Sequence, residues 1–205
     1  MKKLILLLAA SVALQAAPFA MFNTGVDPTS VVLAGGSTDP HYVGVSPTST
    51  VFVLGLATAL PGAWVPNDSV SKWVGPDQTD GGSSNGLYSL IYRTTVDLTG
   101  FNASTAVITG RWTADNFGTD ILLNGVSTGQ TSTTPAAFSS FALNSGFVSG
   151  INTIDFLWTN AGFQGGVRVE VTSAQADLAS GAVPEPASMA LMFGGLAALA
   201  YFRRR

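Results

Sequence analysis

The sequence has no cysteine, a single histidine and few charged side chains, which make up 10% of its 205 residues. Without cysteine the fold has no disulfide bond and depends on core packing, and the tetrahedral Cys and His sets of zinc sites are excluded. Basic residues are scarce between residues 21 and 180, where four of them accompany eleven acidic ones. Because no cluster of Lys or Arg is present there to neutralise phosphates, we expect no nucleic-acid partner.

The N-terminus has the three-part pattern of a secretory signal peptide. Two lysines follow Met1, an apolar run covers residues 4–14, and small residues follow at positions 16, 17 and 20. This order is typical of a segment that signal peptidase removes. The pattern predicts a signal peptide over residues 1–20, with the cut within a few residues of Ala16.

A second apolar segment lies near the C-terminus, between a proline-rich motif and a basic cluster. Its sixteen residues, 187–202, carry no charge. As a helix they would measure about 24 Å, less than the ~30 Å hydrocarbon core of a bilayer. The segment is therefore barely long enough to span a membrane. Positive charge stays on the cytoplasmic side, which would keep the body of the protein outside. The flanking residues are Val183, Pro184, Glu185 and Pro186 before the segment and Arg203, Arg204 and Arg205 after it.

This order of motif, short helix and arginines resembles the PEP-CTERM sorting signal of Gram-negative bacteria that make extracellular polysaccharide. The resemblance covers residues 183–205, with the motif at 183–186, a transmembrane helix at 187–202 and a basic tail at 203–205. It implies export by the secretion machinery, a precursor anchored in the inner membrane by the C-terminal helix, and cleavage near the motif by an exosortase, a transpeptidase-like enzyme. The product would reach the cell surface or the extracellular matrix. The alternative is a simple membrane anchor behind a proline hinge.

The middle of the chain shows the alternation of short β-strands. Apolar and polar residues alternate with period two, which is typical of half-buried strands. The Asn124-Gly125 pair favours a type I′ hairpin turn, because both residues accept positive φ. Strands are predicted at 30–34, 50–56, 88–98, 106–115, 119–123, 126–131, 136–143, 150–159 and 167–172.

These strands predict an all-β domain over residues 21–176, a two-sheet antiparallel β-sandwich of the jelly-roll type. Residues 177–182 lack large apolar side chains, apart from Leu178, and are predicted to form a linker that packs against nothing. Ala114-Asp115-Asn116, Leu123-Asn124-Gly125 and Gly150-Ile151-Asn152-Thr153 resemble, in this order, the motifs of galactose-binding-like jelly rolls. That resemblance spans about residues 39–172, and the fold includes carbohydrate-binding modules.

No arrangement of side chains in the sequence predicts catalysis, so we expect no enzyme activity and no catalytic residue. A Ser-His-Asp triad would depend on His41, which lies between a proline and a tyrosine near an early strand. A glycosidase needs two opposed carboxylates, and the only glutamate of the domain, Glu170, lies on a strand beside Arg168.

Three loop residues are weak candidates for a metal site. Asp115, Asn116 and Asp120 carry the hard oxygen atoms that calcium prefers. Asp and Asn also stabilise turns by bonding to their own backbone, and we favour this interpretation. The expectation is a domain without a cofactor, with calcium as the alternative.

Three aromatic residues are candidates for ligand binding. Sugars are bound by an aromatic platform with polar neighbours, because their C–H faces are apolar and their hydroxyls are not. Trp64, Trp73 and Phe163 lie in segments rich in Gly, Pro, Asn and Asp, whereas Trp112 and Trp158 lie in alternating strands and are assigned to the core. The alternative for Trp64 and Trp73 is that they plug the ends of the sandwich.

Two functions remain open. The first is a structural or interaction protein of the cell surface or matrix, without catalytic activity and with polysaccharide as the favoured partner. The second is a dedicated carbohydrate-binding module. A hydrolase would need convergent carboxylates that the sequence does not show, and fold resemblance alone does not supply an activity.

Overall fold

The structure, a computed structural model, describes residues 16–55, 63–78 and 87–179. Within these ranges the chain is all-β, as predicted. The only helical element of the described ranges is a 3₁₀ turn at Ala103–Thr105. The strands are β1 (Ala16–Pro18), β2 (Thr38–Ser46), β3 (Thr48–Val53), β4 (Val74–Gly75), β5 (Leu87–Asp97), β6 (Val107–Asp115), β7 (Phe117–Leu123), β8 (Val126–Ser127), β9 (Ser139–Leu143), β10 (Ile151–Ala161) and β11 (Gly166–Asp177).

All strands belong to one antiparallel sheet that curls until its two halves face each other. The hydrogen-bonded order is β8-β7-β10-β5-β2-β3-β4-β11-β6-β9, and β1 pairs with the outer part of β11. Across the interior, Phe156 of β10 lies 5.4 Å from Trp112 of β6 and 5.9 Å from Phe141 of β9, measured between ring centroids. The sequence predicted two separate sheets. The structure differs because the short strands β3 and β4 carry the hydrogen bonding from one half to the other.

The interior is filled by the apolar side of each alternating strand. Trp112 and Trp158 are fully buried, which confirms their assignment to the core. Gly118 allows β7 to approach this core closely, because a Cβ atom at that position would lie 2.3 Å from the ring of Trp112. Burial of large aromatic side chains is the main stabilising term available to a domain without cysteine.

The early part of the chain differs from the prediction. The strand expected at 30–34 is absent, and only an isolated bridge joins Val26 and Val32. The Asp27 carboxylate accepts hydrogen bonds from the backbone N–H groups of Thr29 and Val31, and this turn replaces the strand. The nine-residue strand β2, which contains Pro40, was not predicted.

The folded domain reaches further at both ends than the predicted boundaries at 21 and 176. Strand β1 lies inside the range assigned to the signal peptide, and Phe19 packs against two core clusters. At the other end, β11 continues through Asp177, Leu178 forms a bridge with Phe101, and the Ala179 N–H donates to the Gly100 carbonyl. Three of the six residues of the predicted linker are therefore bonded to the domain. We call residues 16–18, 97–105 and 177–179 the exit end of the sheet.

One long segment covers the outer face of β11. The fully buried Arg168 guanidinium donates to Ser71 Oγ at 2.5 Å, to Glu170 Oε1 at 2.9 Å and to the Pro66 carbonyl. Arg168 also forms an ion pair with Asp68 at 2.8 Å. These bonds hold residues 63–75 against the sheet and so position the residues at the start of that segment.

Candidate functional site

The described residues form an open cleft of about 400 Å³ at the end of the sheet where β6 turns into β7 and β10 turns into β11. Four residues that the sequence singled out line it together, namely Trp64, Asp115, Asn116 and Phe163. The other lining residues are Ala63, Phe117, Thr133, Thr134, Pro135, Gly162 and Gln164. The cleft combines aromatic rings with amides, hydroxyls and one carboxylate, which is the usual composition of a small-ligand site.

A hydrogen bond joins the polar side of the cleft to the core. The Trp64 indole Nε1 donates to Asp115 Oδ2 at 2.7 Å. Burial raises the pKa of the Asp115 carboxyl above its ordinary value of 3.8, and the indole N–H opposes this shift. Asn116 is fixed by the backbone of the neighbouring strand, because its N–H donates to the Thr159 carbonyl at 2.9 Å and its side-chain oxygen accepts from the Ala161 N–H. The side chains of Asp115 and Asn116 are therefore held in place before any ligand binds.

Phe163 projects from the rim of the cleft. Its side chain is 83% exposed, and its backbone has a φ of +62°, an uncommon conformation for an aromatic residue. The buried Asn160 stabilises this conformation, since its side chain donates to the Phe163 carbonyl at 2.9 Å and accepts from the Gly162 N–H at 3.0 Å. Phe117, 51% exposed, provides a second ring. An exposed aromatic residue held at positive φ is the kind of strained feature that accompanies binding sites.

The sequence did not identify Phe117 or Asn160 as parts of the site. Phe117 directly follows Ala114-Asp115-Asn116, so its position beside a turn motif was the available signal. Nothing in the sequence marked Asn160. Its side chain stabilises the backbone of Phe163 through a hydrogen bond that is seen only in the folded turn.

The two tryptophans proposed as a ligand platform are buried. Trp64 is 5% exposed and Trp73 is fully buried, and their ring centroids lie 4.2 Å apart. Together with Leu54 they form a separate small core cluster. The Trp73 indole Nε1 donates to the Val65 carbonyl at 2.8 Å, so its polar atom is also satisfied inside the protein. Their placement corresponds to the alternative in which they plug an end of the fold, and only Phe163 of the three candidates is exposed.

The candidate metal ligands do not converge. Asp120 lies outside the cleft, at the β7–β8 hairpin, where its carboxylate accepts from the N–H groups of Ile121 and Gly129 and from the Ser127 hydroxyl. The Asp115 carboxylate accepts from the Trp64 indole, and the Asn116 side-chain oxygen accepts from the Ala161 N–H. Within the described ranges, no three His, Asp or Glu side chains come together in a metal-binding group. Only Asp120 bonds to the backbone of its own hairpin, as the turn interpretation expects. The side chains of Asp115 and Asn116 instead bond to groups that are distant in the chain.

The residues considered for catalysis are engaged in packing and ion pairs. The His41 ring stacks on Phe22 with a centroid distance of 3.7 Å. Glu170 accepts from Ser71 Oγ at 2.8 Å and from Arg111 Nε at 2.6 Å, in addition to Arg168. Neither His41 nor Glu170 lines the cleft.

The sorting residues Val183, Pro184, Glu185 and Pro186, the apolar segment 187–202 and the arginines at 203–205 lie outside the described residues. Most of the predicted signal peptide, residues 1–15, lies outside them as well. In the part of the chain that the structure describes, no helix has the length and apolarity that crossing a membrane requires.

Comparison with known proteins bears on the C-terminal tail alone. A family model described as the PEP-CTERM protein-sorting motif matches residues 182–205. No curated protein and no solved structure matches the chain. The matched tail agrees with the motif, apolar segment and arginines recognised in the sequence. It indicates an exported protein of a Gram-negative bacterium, made as a precursor that an exosortase processes at the membrane.

Proposed function

We propose that the chain is a non-catalytic protein of the cell surface or extracellular matrix, and that its β domain holds extracellular polysaccharide in the cleft bordered by Phe163 and Phe117. The observation that carries the proposal is the exposed Phe163 ring, held at positive φ beside fixed amide and carboxylate groups. An aromatic face next to polar groups suits a sugar ring, whose C–H surface packs on the aromatic ring while its hydroxyls form hydrogen bonds.

The position of the cleft in the molecule supports this function. Strand β11 starts at Gly166, next to the cleft, and ends at Asp177, at the exit end. Twelve residues of strand extend roughly 37 Å between first and last Cα. The sorting tail therefore leaves from the end opposite the cleft, and a protein attached by that tail would turn the cleft towards the surrounding matrix.

We also propose that the curled sheet is a galactose-binding-like jelly roll. Its two halves face each other as the two layers of a sandwich do, and the resembling motifs fall at the β6–β7 turn, the β7–β8 hairpin and the start of β10. In this proposal the domain has no catalytic activity and requires no cofactor, because a domain that only holds polysaccharide needs a binding surface and nothing more.

The experiment is binding of polysaccharide purified from the native host, measured by titration calorimetry on the processed protein. Phe163→Ala is expected to weaken binding about tenfold, equivalent to about 1.4 kcal/mol. Val126→Ala is the matched control, since Val126 is 69% exposed and lies on β8, away from the cleft. Wild-type protein that does not bind the polysaccharide, or equal binding by both variants, would refute the proposed role of the cleft.

A further inference from the structure

Among the described residues, the hydrogen bonds nearest the C-terminus lie a few residues before the sorting motif. The Asn102 N–H donates to the Asp177 carbonyl at 2.8 Å, and the Ala179 N–H donates to the Gly100 carbonyl at 2.9 Å. Leu178, between them, forms a bridge with Phe101. The described part of the chain therefore ends beside the turn at Gly100, and in the sequence Ser180, Gly181 and Ala182 separate Ala179 from Val183.

Covalent geometry limits how far the domain can stand from the motif. Four residues from Ala179 to Val183 span at most about 14 Å, and six residues to Glu185 span at most about 22 Å. The domain is longer than either distance, since β11 alone measures roughly 37 Å. An enzyme that binds the motif in its active site must therefore come within these distances of the turn at Gly100.

The N-terminal side of the chain leaves from the same end. In the β1–β11 ladder, Ala16 is the direct partner of Asp177. The predicted signal-peptide cut lies within a few residues of Ala16, so the N-terminus of the mature chain would lie beside β11 at this same end. The exit end therefore brings the start of the mature chain next to the C-terminal end of β11.

The surface of this end has little charge and mostly small side chains. Residues 145–151 adjoin it, because the Leu98 N–H donates to the Gly150 carbonyl at 2.8 Å. Residues 16–19, 97–105, 145–151 and 175–179 contain two aspartates and no lysine or arginine. A surface without basic residues does not attract anionic lipid headgroups. A surface with little charge suits close contact with a protein, which favours the enzyme over the lipid as the partner.

We propose that the exit end is the surface through which the folded domain contacts the exosortase while the motif is cleaved. The enzyme meets a folded β domain, and the rim of its active site lies against the turn at 97–105 and the β1–β11 pair. This proposal does not depend on polysaccharide binding at the cleft.

The test measures processing of the full-length precursor in cells that contain the exosortase. Ser104→Trp places a large ring on the exit end, since Ser104 is exposed in the 3₁₀ turn. Ala137→Trp is the control, because Ala137 is exposed in the loop next to Pro135 of the cleft. Each substitution is combined with an insertion of about ten Gly and Ser residues between Ser180 and Gly181, which adds roughly 18 Å of root-mean-square reach.

Ser104→Trp is expected to slow release of the C-terminal segment several-fold with the natural tether, and the insertion is expected to restore the rate. Ala137→Trp should leave the rate unchanged with either tether. Restoration by the insertion distinguishes lost contact from a domain that fails to fold, because a longer tether does not repair a misfolded domain. Equal processing of all precursors, or a defect that the insertion does not relieve, would overturn the proposal.

Discussion

Two arginine–carboxylate pairs lie on the outer faces of the two halves of the sheet, in very different surroundings. Arg168 and Glu170 on β11 lie beneath the segment 63–75, and the Arg168 side chain is fully buried. Arg93 on β5 and Asp155 on β10 face each other across a ladder whose outer side is open, and the Arg93 side chain is 37% exposed. Both pairs occur in strands with the same alternation of apolar and polar residues.

The difference shows that alternation predicts which side of a strand is polar, but not whether that side meets water. On β11 the polar side is covered by a segment about 100 residues earlier in the chain, as the 97-residue separation of Arg168 and Ser71 shows. Partial burial acts to raise the pKa of Asp68 in that segment, but the backbone N–H groups of Val70 and Ser71 and the Arg168 guanidinium lower it overall. Both partners are buried on the covered face, whereas on the open face the Arg93 side chain reaches solvent and only its partner Asp155 is buried.

Removing the covered arginine should have the largest effect. Arg168→Ala is expected to lower the free energy of unfolding by about 3–5 kcal/mol, because it leaves Glu170 buried with fewer partners and detaches the segment that carries Trp64. Urea denaturation measures the change. Arg111→Ala is the control, since Arg111 binds the same carboxylate with a side chain that is 50% exposed, and its loss should be clearly smaller. Equal losses would show that the covering segment contributes nothing.

Breaking the open pair should have a smaller effect. Arg93→Ala is expected to cost about 1–2 kcal/mol, because Asp155 is buried at 4% exposure but water can reach its carboxylate once the partly exposed Arg93 side chain is removed. The difference from wild type should decrease further at high salt, which screens exposed charges. A cost comparable with that of Arg168→Ala, in the same denaturation assay, would contradict the distinction between the two faces.

The smallest expected effects concern single carboxylates, and they differ in sign. The folded pKa of Asp115 is raised by burial, so the stability of wild type relative to Asp115→Asn should be highest below the ordinary value of 3.8 and should fall as pH rises through the raised pKa. The pKa of Asp27 is lowered by hydrogen bonds from Thr29 and Val31. The stability that the Asp27 charge adds to wild type relative to Asp27→Asn should be fully present above pH 3.8 and should disappear as pH falls through the lowered pKa.

Thermal unfolding of the two variants and wild type from pH 3 to pH 7 measures both differences. Asn keeps an oxygen acceptor for the Trp64 indole at position 115, so the comparison isolates the charge. If the stability difference between wild type and Asp115→Asn changed with pH in the same direction as that between wild type and Asp27→Asn, the opposite pKa shifts of the two carboxylates would be contradicted.

Most of the strands were predictable from the sequence, because alternation along a strand is a local property. The strands β5, β6, β7 and β10 lie close to their predicted ranges, whereas β8 ends four residues earlier than predicted and β11 continues five residues further. β2 escaped prediction because its residues include Pro40 and Gly44, which weaken the strand signal. The Pro40 position is tolerated in the structure because β2 and β3 shift register between Thr38 and Val43.

The candidate site was predictable only in part. Phe163, Asp115 and Asn116 were recognised as loop residues with binding chemistry, and the structure brings them together. Their meeting with Phe117 depends on two turns, β6–β7 and β10–β11, lying side by side at one end of the sheet. The sequence also offered no means of separating the exposed Phe163 from the buried Trp64 and Trp73, because all three occur in similar loop compositions.

The sequence by itself determined export, the C-terminal sorting signal and the all-β class. These properties depend on linear order and on period-two alternation, which neighbouring residues carry without help from the rest of the chain. The tertiary structure alone decided that Arg168 is buried, that Trp64 and Trp73 lie in a separate small core cluster, and that the cleft and the C-terminal end of β11 lie at opposite ends of the sheet. Each of these depends on contacts between segments far apart in the chain, since burial and proximity are properties of the packed sheet as a whole.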